Sequence, residues 1–375
     1  SFALPPSTRV NAGDVVRIDE ETYRIDRIEE AGLKQVEAVR IERAIYQSAI
    51  TEDEMGTIAP VTAPLPVWAT MMDLPLISGS EIAENPWVAA TAAENWPGAV
   101  AVYSSLDGQS WTYETVLNQR AVMGRTENAL VAATPGLWQP GEQVRVKLVH
   151  GALESRDALS TFAGGNIAAI GDGSGRWELL QFRDAALLAP DTWGLGHLLR
   201  GQQGTEADMP VAWPVGSTVV VFNTALAQLS VPSALRGVNR QYRIGPASQP
   251  VDHASYIDLN HAASAVGLRP YAPVHLRAFP DGAGGHVIRW IRRTRVDGDS
   301  WALPDVPLGE TYEAYTVTVR NGGEVIRTQT VTEPEFAYGA ADRLADGIAA
   351  PFEVEIAQIS DRFGPGAPAR IVING

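Results

Sequence analysis

Six histidines, His150, His197, His253, His261, His275 and His286, are the side chains best suited to hold a metal or move a proton near neutral pH. None of them forms an HxH or HExxH pair. His253 and His261 lie eight residues apart in a stretch, Tyr256 to Val266, that reads as helical. A metal held there needs two helical turns and a third ligand, so solvated or capping histidines are the simpler reading. Asp297-Gly298-Asp299 resembles a fragment of a calcium loop, but the Asp-x-Asp-x-Asp-Gly pattern with a distal Glu is absent and a turn suffices. The chain has no cysteine, which excludes disulfides and thiolate-held zinc. No metal and no cofactor is expected.

Nucleophile and phosphate motifs fail in the same way. In Gly171-Asp172-Gly173-Ser174-Gly175 the position two before Ser174 is Asp172, so the stretch is not GxSxG and reads as a hairpin turn. Gly194-Leu195-Gly196-His197-Leu198-Leu199-Arg200-Gly201 looks superficially like a phosphate loop, but it lacks the GK[ST] ending and a βαβ frame. Carboxylates are plentiful, and none is marked as a general acid or nucleophile; the separation that decides glycosidase chemistry is not a sequence property. No catalytic residue is assigned, and the expectation is a protein that is not an enzyme.

Two surface constellations remain. Arg289, Arg292, Arg293 and Arg295 surround Trp290, and guanidinium clusters suit anionic sugars or phosphates. Trp96, Tyr103, Trp111 and Tyr113 form an aromatic group that could stack on sugars or anchor an interface. Arg289, Arg292, Arg293, Trp96, Trp111 and Tyr113 are therefore the candidate envelope-binding residues. A strand end for the arginines and core packing for the aromatics are the plainer readings.

The elements that must position these groups are short. Gly and Pro total 60 of 375 residues, scattered at short intervals, and long helical periodicity is nearly absent. Residues 1–56 read as a meander of about three strands, with turns at Asn11-Ala12-Gly13-Asp14 and Ala31-Gly32, that docks on other modules. Glu52-Asp53-Glu54 reads as an exposed loop, and Pro60, Pro64, Pro66 and Pro75 mark a Pro-rich passage. Residues 57–272 read as a middle β region of one or two modules. In residues 273–375, Ile288 and Trp290 share a face, and Tyr315, Val317 and Val319 alternate with polar residues. Phe352, Val354 and Ile356 do the same. About seven short strands without cysteine fit a fibronectin type III-like β-sandwich. The fold class is mostly β, in several small modules.

The net charge of −15 is spread along the chain and no segment is a basic block, which argues against nucleic-acid binding. No stretch approaches 18 consecutive apolar residues, so no transmembrane segment is expected. No signal peptide is recognised, and the chain, which opens on Ser1-Phe2-Ala3-Leu4, reads as processed or as part of a longer polypeptide.

One stretch is more distinctive than any catalytic motif. It runs from Trp177-Glu178-Leu179-Leu180-Gln181-Phe182-Arg183-Asp184-Ala185 through Thr192-Trp193-Gly194-Leu195. It ends in Leu198-Leu199-Arg200-Gly201-Gln202-Gln203-Gly204-Thr205-Glu206. With Val219-Val220-Val221-Phe222, Tyr242-Arg243-Ile244-Gly245-Pro246-Ala247 and Pro64-Leu65-Pro66-Val67-Trp68, it resembles the C-terminal half of the large tail-tip protein of gene transfer agents and long-tailed phages. That family is often labelled host-specificity or glycoside hydrolase-like phage tail protein, and the resemblance covers most of residues 10–375. Its TIM-barrel domain lies upstream and is missing here, so no enzymatic activity carries over. The resemblance implies a virion structural protein at the distal end of the tail, a homotrimeric hub, with hub, distal tail and fibre proteins and a host cell-surface glycan or envelope component as partners. Arg200-Gly201 reads as a turn, with Arg200 tethering a neighbouring segment. The alternative reading is a secreted carbohydrate-binding or glycoside/peptidoglycan hydrolase accessory module.

Overall fold

The computed structural model describes residues 1–42, 66–298 and 305–374. The Glu52-Asp53-Glu54 loop, Pro60, Pro64, Leu65 and Asp299 lie outside the described residues. The chain divides into two compact units, Ser1–Ala63 and Pro64–Gly375, and what is described is mostly β in several small sheets.

The first unit holds β1 (Phe2–Leu4), β2 (Val15–Ile18), β3 (Glu21–Ala31) and β4 (Leu33–Arg40) in the order β1-β4-β3-β2. Gly13, at φ +99°, makes the turn into β2, where the Asn11 backbone N–H donates to Asp14 Oδ2 at 2.7 Å. The sequence predicts about three strands. The fourth, β1, has only three residues, too few to show alternation, and is recruited by pairing Phe2 opposite Val36. Among its described residues only Ile25 and Val36 are buried, so this core is thin.

The second unit begins with β5 (Trp68–Met72), β6 (Trp87–Thr91), β7 (Val100–Ser105) and β8 (Thr112–Leu117). Then come β9 (Met123–Thr126), β10 (Leu130–Val131), β11 (Trp138–Leu148), the short helix α1 (Ala158–Phe162) and β12 (Ile167–Gly171). A long hairpin follows, β13 (Trp177–Ala189) and β14 (Thr192–Gln202), then β15 (Ala212–Trp213) and β16 (Thr218–Val221). After these the chain adds β17 (Ala227–Gln228), β18 (Arg240–Pro246) and β19 (Ile257–His261).

Six of these strands close a barrel, β11-β14-β13-β12-β16-β9. Closure removes exposed strand edges. The barrel is inserted between the halves of a second assembly, in which β17-β6-β5 packs against β19-β18-β7-β8. Alternation decides which side chain goes where. On β13, Leu180 and Phe182 fill the barrel, whereas Trp177 and Leu179 face outward. That outer face meets Met72 of β5 and Ala89 of β6, while Ala69, Met71, Val88 and Ala90 fill the sandwich core. The β17-β6-β5 sheet is thus buried on both faces, which is why its strands read as apolar runs, WATMM and WVAAT.

The remaining strands are β20 (Val274–Pro280), β21 (His286–Ile291), β22 (Tyr315–Asn321), β23 (Glu324–Val331) and β24 (Glu335–Tyr338). The helix α2 (Ala340–Ala345), β25 (Phe352–Ser360), β26 (Gly364–Pro365) and β27 (Ala369–Ile373) complete the chain. A three-stranded sheet, β20-β21-β24, faces β23-β22-β25-β27, the strand order of a fibronectin type III-like sandwich. Trp290, Tyr315, Val317, Val319, Phe336, Phe352 and Val354 fill its core.

Two expectations are corrected. Tyr256 to Val266 is not helical: Ile257–His261 is strand β19, paired residue by residue with β18. Ile257, Leu259 and His261 alternate, and a partner strand is what this period of two needs. Arg200-Gly201 is not a turn either; both residues lie in β14, and the chain turns at Gln203 and Gly204, both at positive φ. A Cβ on Gly204 would collide with the Tyr271 ring, so the motif needs glycine there.

Candidate functional site

Three groups of side chains bear on function, and the first lies inside the barrel. Glu178 on β13 and Arg200 on β14 have the same parity as the interior residues Leu180 and Leu198, so both point inward. Both are fully buried, and the pair is bidentate, with Arg200 Nε donating to Oε1 at 2.6 Å and Nη2 to Oε2 at 2.7 Å. Trp213 Nε1 and the Gly201 N–H also donate to Glu178, at 2.6 and 3.0 Å. Arg200 Nη1 donates to the Val131 carbonyl at 2.8 Å. Arg200 thus ties the β10-β15 ribbon, which carries Val131 and Trp213, to the barrel wall. The cluster is internally satisfied and has no group left over for a substrate.

The second group is the arginines. Arg289 pairs with Glu335, and Arg292 with Asp305 and the Pro307 carbonyl. Arg293 pairs with Glu206, and Arg295 with Glu310 and the carbonyls of Gly267 and Gly309. Only Arg289 is well exposed, with 62% of its side chain accessible. The structure does not gather these cations into one open patch. Arg293 instead bridges the C-terminal sandwich to Glu206, just past the barrel strand β14, with its guanidinium 5.0 Å from the Tyr271 ring. Arg269 with Asp208, Arg362 with Glu84, and Arg236 with the Arg362 and Phe363 carbonyls add to the same junction. The stretch 268–273 between the assemblies is packed, with Leu268, Tyr271 and Ala272 buried.

The third group is aromatic and lies on the outer face of β19-β18-β7-β8. Registers place Tyr113 opposite Tyr103, Tyr103 opposite Arg243, and Arg243 opposite Asp258, one row across four strands. Tyr103 and Tyr113 meet edge to face at 5.7 Å, and Tyr256 tilts against Tyr103 at 6.1 Å. The Arg243 guanidinium lies 4.4 Å from the centre of the Trp111 ring and donates to Asp258 Oδ1 at 2.9 Å. Tyr113 is 54% exposed, and Gln241 and Asn260 are exposed in the neighbouring row. Trp111 and Tyr113 are therefore brought together; Trp96 is not in this row and packs on the sandwich core, its Nε1 donating to the Gly98 carbonyl at 3.2 Å. Sequence reading missed Arg243 and Asp258, whose only signal was period-two alternation with the buried Tyr242 and Ile244.

Three of the six histidines each meet one polar side chain, His197 Nδ1 lying 2.5 Å from Asp184 Oδ2. His253 Nδ1 contacts Ser255 Oγ at 2.8 Å, and His261 lies 3.4 Å from Asp73. Burial pushes the Asp73 carboxyl up, but the neighbouring His261 imidazole and two hydrogen bonds from Ser264 more than offset it and hold it below the usual carboxylate range. Among the described residues no cluster of three or more His, Asp or Glu is placed to hold a metal ion.

The barrel region matches a known family. Residues 121–220 match the Rcc01698-like, C-terminal family. This is a gene transfer agent protein family. The matched segment of this Rcc01698-like domain runs from just before β9 to the penultimate residue of β16, and the buried Glu178–Arg200 pair lies within it. No curated protein matches the sequence. Among solved structures, the rat CD45 extracellular region, domains d3-d4, aligns at 10% identity and TM-score 0.22, covering 41% of this chain and 72% of that one.

Proposed function

We propose that this chain is a structural protein of the virion, at the distal tail tip or baseplate hub of a gene transfer agent or related phage. There it takes part in hub assembly and in attachment to the host envelope. The observation that carries this reading is the Rcc01698-like match, whose bounds nearly coincide with the closed barrel. The build of the second unit supports it. Inserted barrel, interrupted sandwich and C-terminal sandwich are joined by shared apolar packing and arginine–carboxylate bridges, a construction suited to bearing load. Its partners on this reading are other tail proteins, copies of itself in a trimer, and a glycan or envelope component of the host cell. No catalytic step and no cofactor are part of the proposal.

Immunogold electron microscopy of purified particles, with an antibody raised against this chain, tests it. Label confined to the distal tail end is the expected result. Unlabelled particles alongside secreted free protein would sink the reading. The exposed aromatic row favours, in that case, the second reading of a secreted carbohydrate-binding accessory module.

A further inference from the structure

The outer face of the β19-β18-β7-β8 sheet carries more than the fold needs. Its inner face already supplies the sandwich core with Val100, Val102, Tyr242 and Ile244. Tyr113, Tyr103 and Trp111 lie on the opposite side, where solubility and strand pairing call for polar residues. We propose that this face is a binding platform for a chain of uncharged sugars. The inference rests on the attachment role proposed above and names its site and ligand chemistry.

Four features select that ligand. Tyrosine and tryptophan faces suit the C–H surface of a sugar ring, and Tyr113, at 54% exposure, leaves one open. The row is electrically balanced, because Arg243 is covered by Trp111 and paired with Asp258, so nothing there attracts a polyanion. An acceptor and an amide that both donates and accepts line its far edge: the Asp258 carboxylate keeps 70% of its side chain accessible, and Asn260 beside it is exposed. From Tyr113 to Asp258 the row crosses three strand spacings of about 4.8 Å, roughly 14 Å, which suits an oligosaccharide better than a single ring.

The test is affinity electrophoresis of the full chain through gels containing a neutral glucan, a mannan, a polymer of N-acetylglucosamine, or anionic polygalacturonate. Retardation by at least one neutral polymer is expected, and it should persist in about 1 M salt, where screening cuts charge attraction beyond about 3 Å. Tyr113→Ala and Trp111→Ala should each weaken association roughly tenfold, whereas Tyr113→Phe, which keeps the ring, should retain it. Melting curves of the variants establish that they fold. Absence of retardation by every neutral polymer overturns the proposal, as does retardation that ignores the folded Ala variants. Binding to polygalacturonate alone, or self-association lost in the same variants, overturns it too, the last by identifying a protein partner. Tail-end immunogold label without sugar binding removes only this inference; sugar binding without label removes the tail-tip reading instead.

Discussion

At the residue scale, the Glu178–Arg200 pair is the most consequential feature of the barrel. Two full charges sit inside it, each with no accessible side-chain surface, and are stable only because every polar atom in the cluster has a partner. Glu178→Gln keeps the shape but leaves the Arg200 charge uncompensated. It is expected to cost about 3–5 kcal/mol, read as a lower denaturation midpoint with an unchanged slope. The triple change Glu178→Leu, Arg200→Met, Trp213→Phe removes the buried charges altogether and should cost less than Glu178→Gln alone. Both residues lie in the stretch that carries the sequence resemblance, and Arg200 was legible there as a tether. Its partner was not, because Glu178 lies 22 residues away in a chain with 44 acidic residues.

At the element scale, α2 shows how a short helix is held. Asp346 caps its C-terminal end and accepts from Arg327 Nε at 2.7 Å and Nη2 at 2.9 Å, and from the Tyr338 hydroxyl at 2.7 Å. The Arg327 guanidinium, with Tyr338 adding to it, holds the Asp346 carboxyl below the usual carboxylate range. At neutral pH Asp346 is charged in both the folded and unfolded chain, and the folded form is favoured. Below about pH 4 the unfolded chain takes up a proton that the folded chain refuses, so this contribution is lost as pH falls through the depressed value. Asp346→Asn should therefore be less stable at pH 7, and denaturation at stepped pH should show a shallower acid limb than wild type. An acid limb of unchanged steepness would disprove the role. Strand identity at this scale was largely readable from alternation and turn residues. The failure at Tyr256 to Val266 has a definite cause: a five-residue strand next to a 3-10 turn carries too few periods to separate 2.0 from 3.6.

At the scale of the whole molecule, the two sandwiches differ in self-sufficiency. The C-terminal one has a complete strand order and a core drawn entirely from residues 276–373. An isolated fragment of residues 271–375 should fold, with a cooperative melt and dispersed amide resonances. The barrel should not survive alone, because Met123, Ala169, Trp177, Leu179 and Val220 on its outer wall would be exposed to water. A fragment of residues 121–222 is expected to aggregate or bind a hydrophobic dye, and a soluble monomer with a sharp melt would refute this. Local patterning by itself determined that the chain is β, where most strands and turns fall, and that the last hundred residues make a sandwich, since these depend on neighbours in sequence. Only the tertiary structure decided that six strands close a barrel, that this barrel interrupts another assembly, and which charges neutralise which. It also set Tyr113, Tyr103, Arg243 and Asp258 in one row, a pairing of strands up to about 145 residues apart that alternation cannot specify, because period two fixes a residue's face but not the strand beside it.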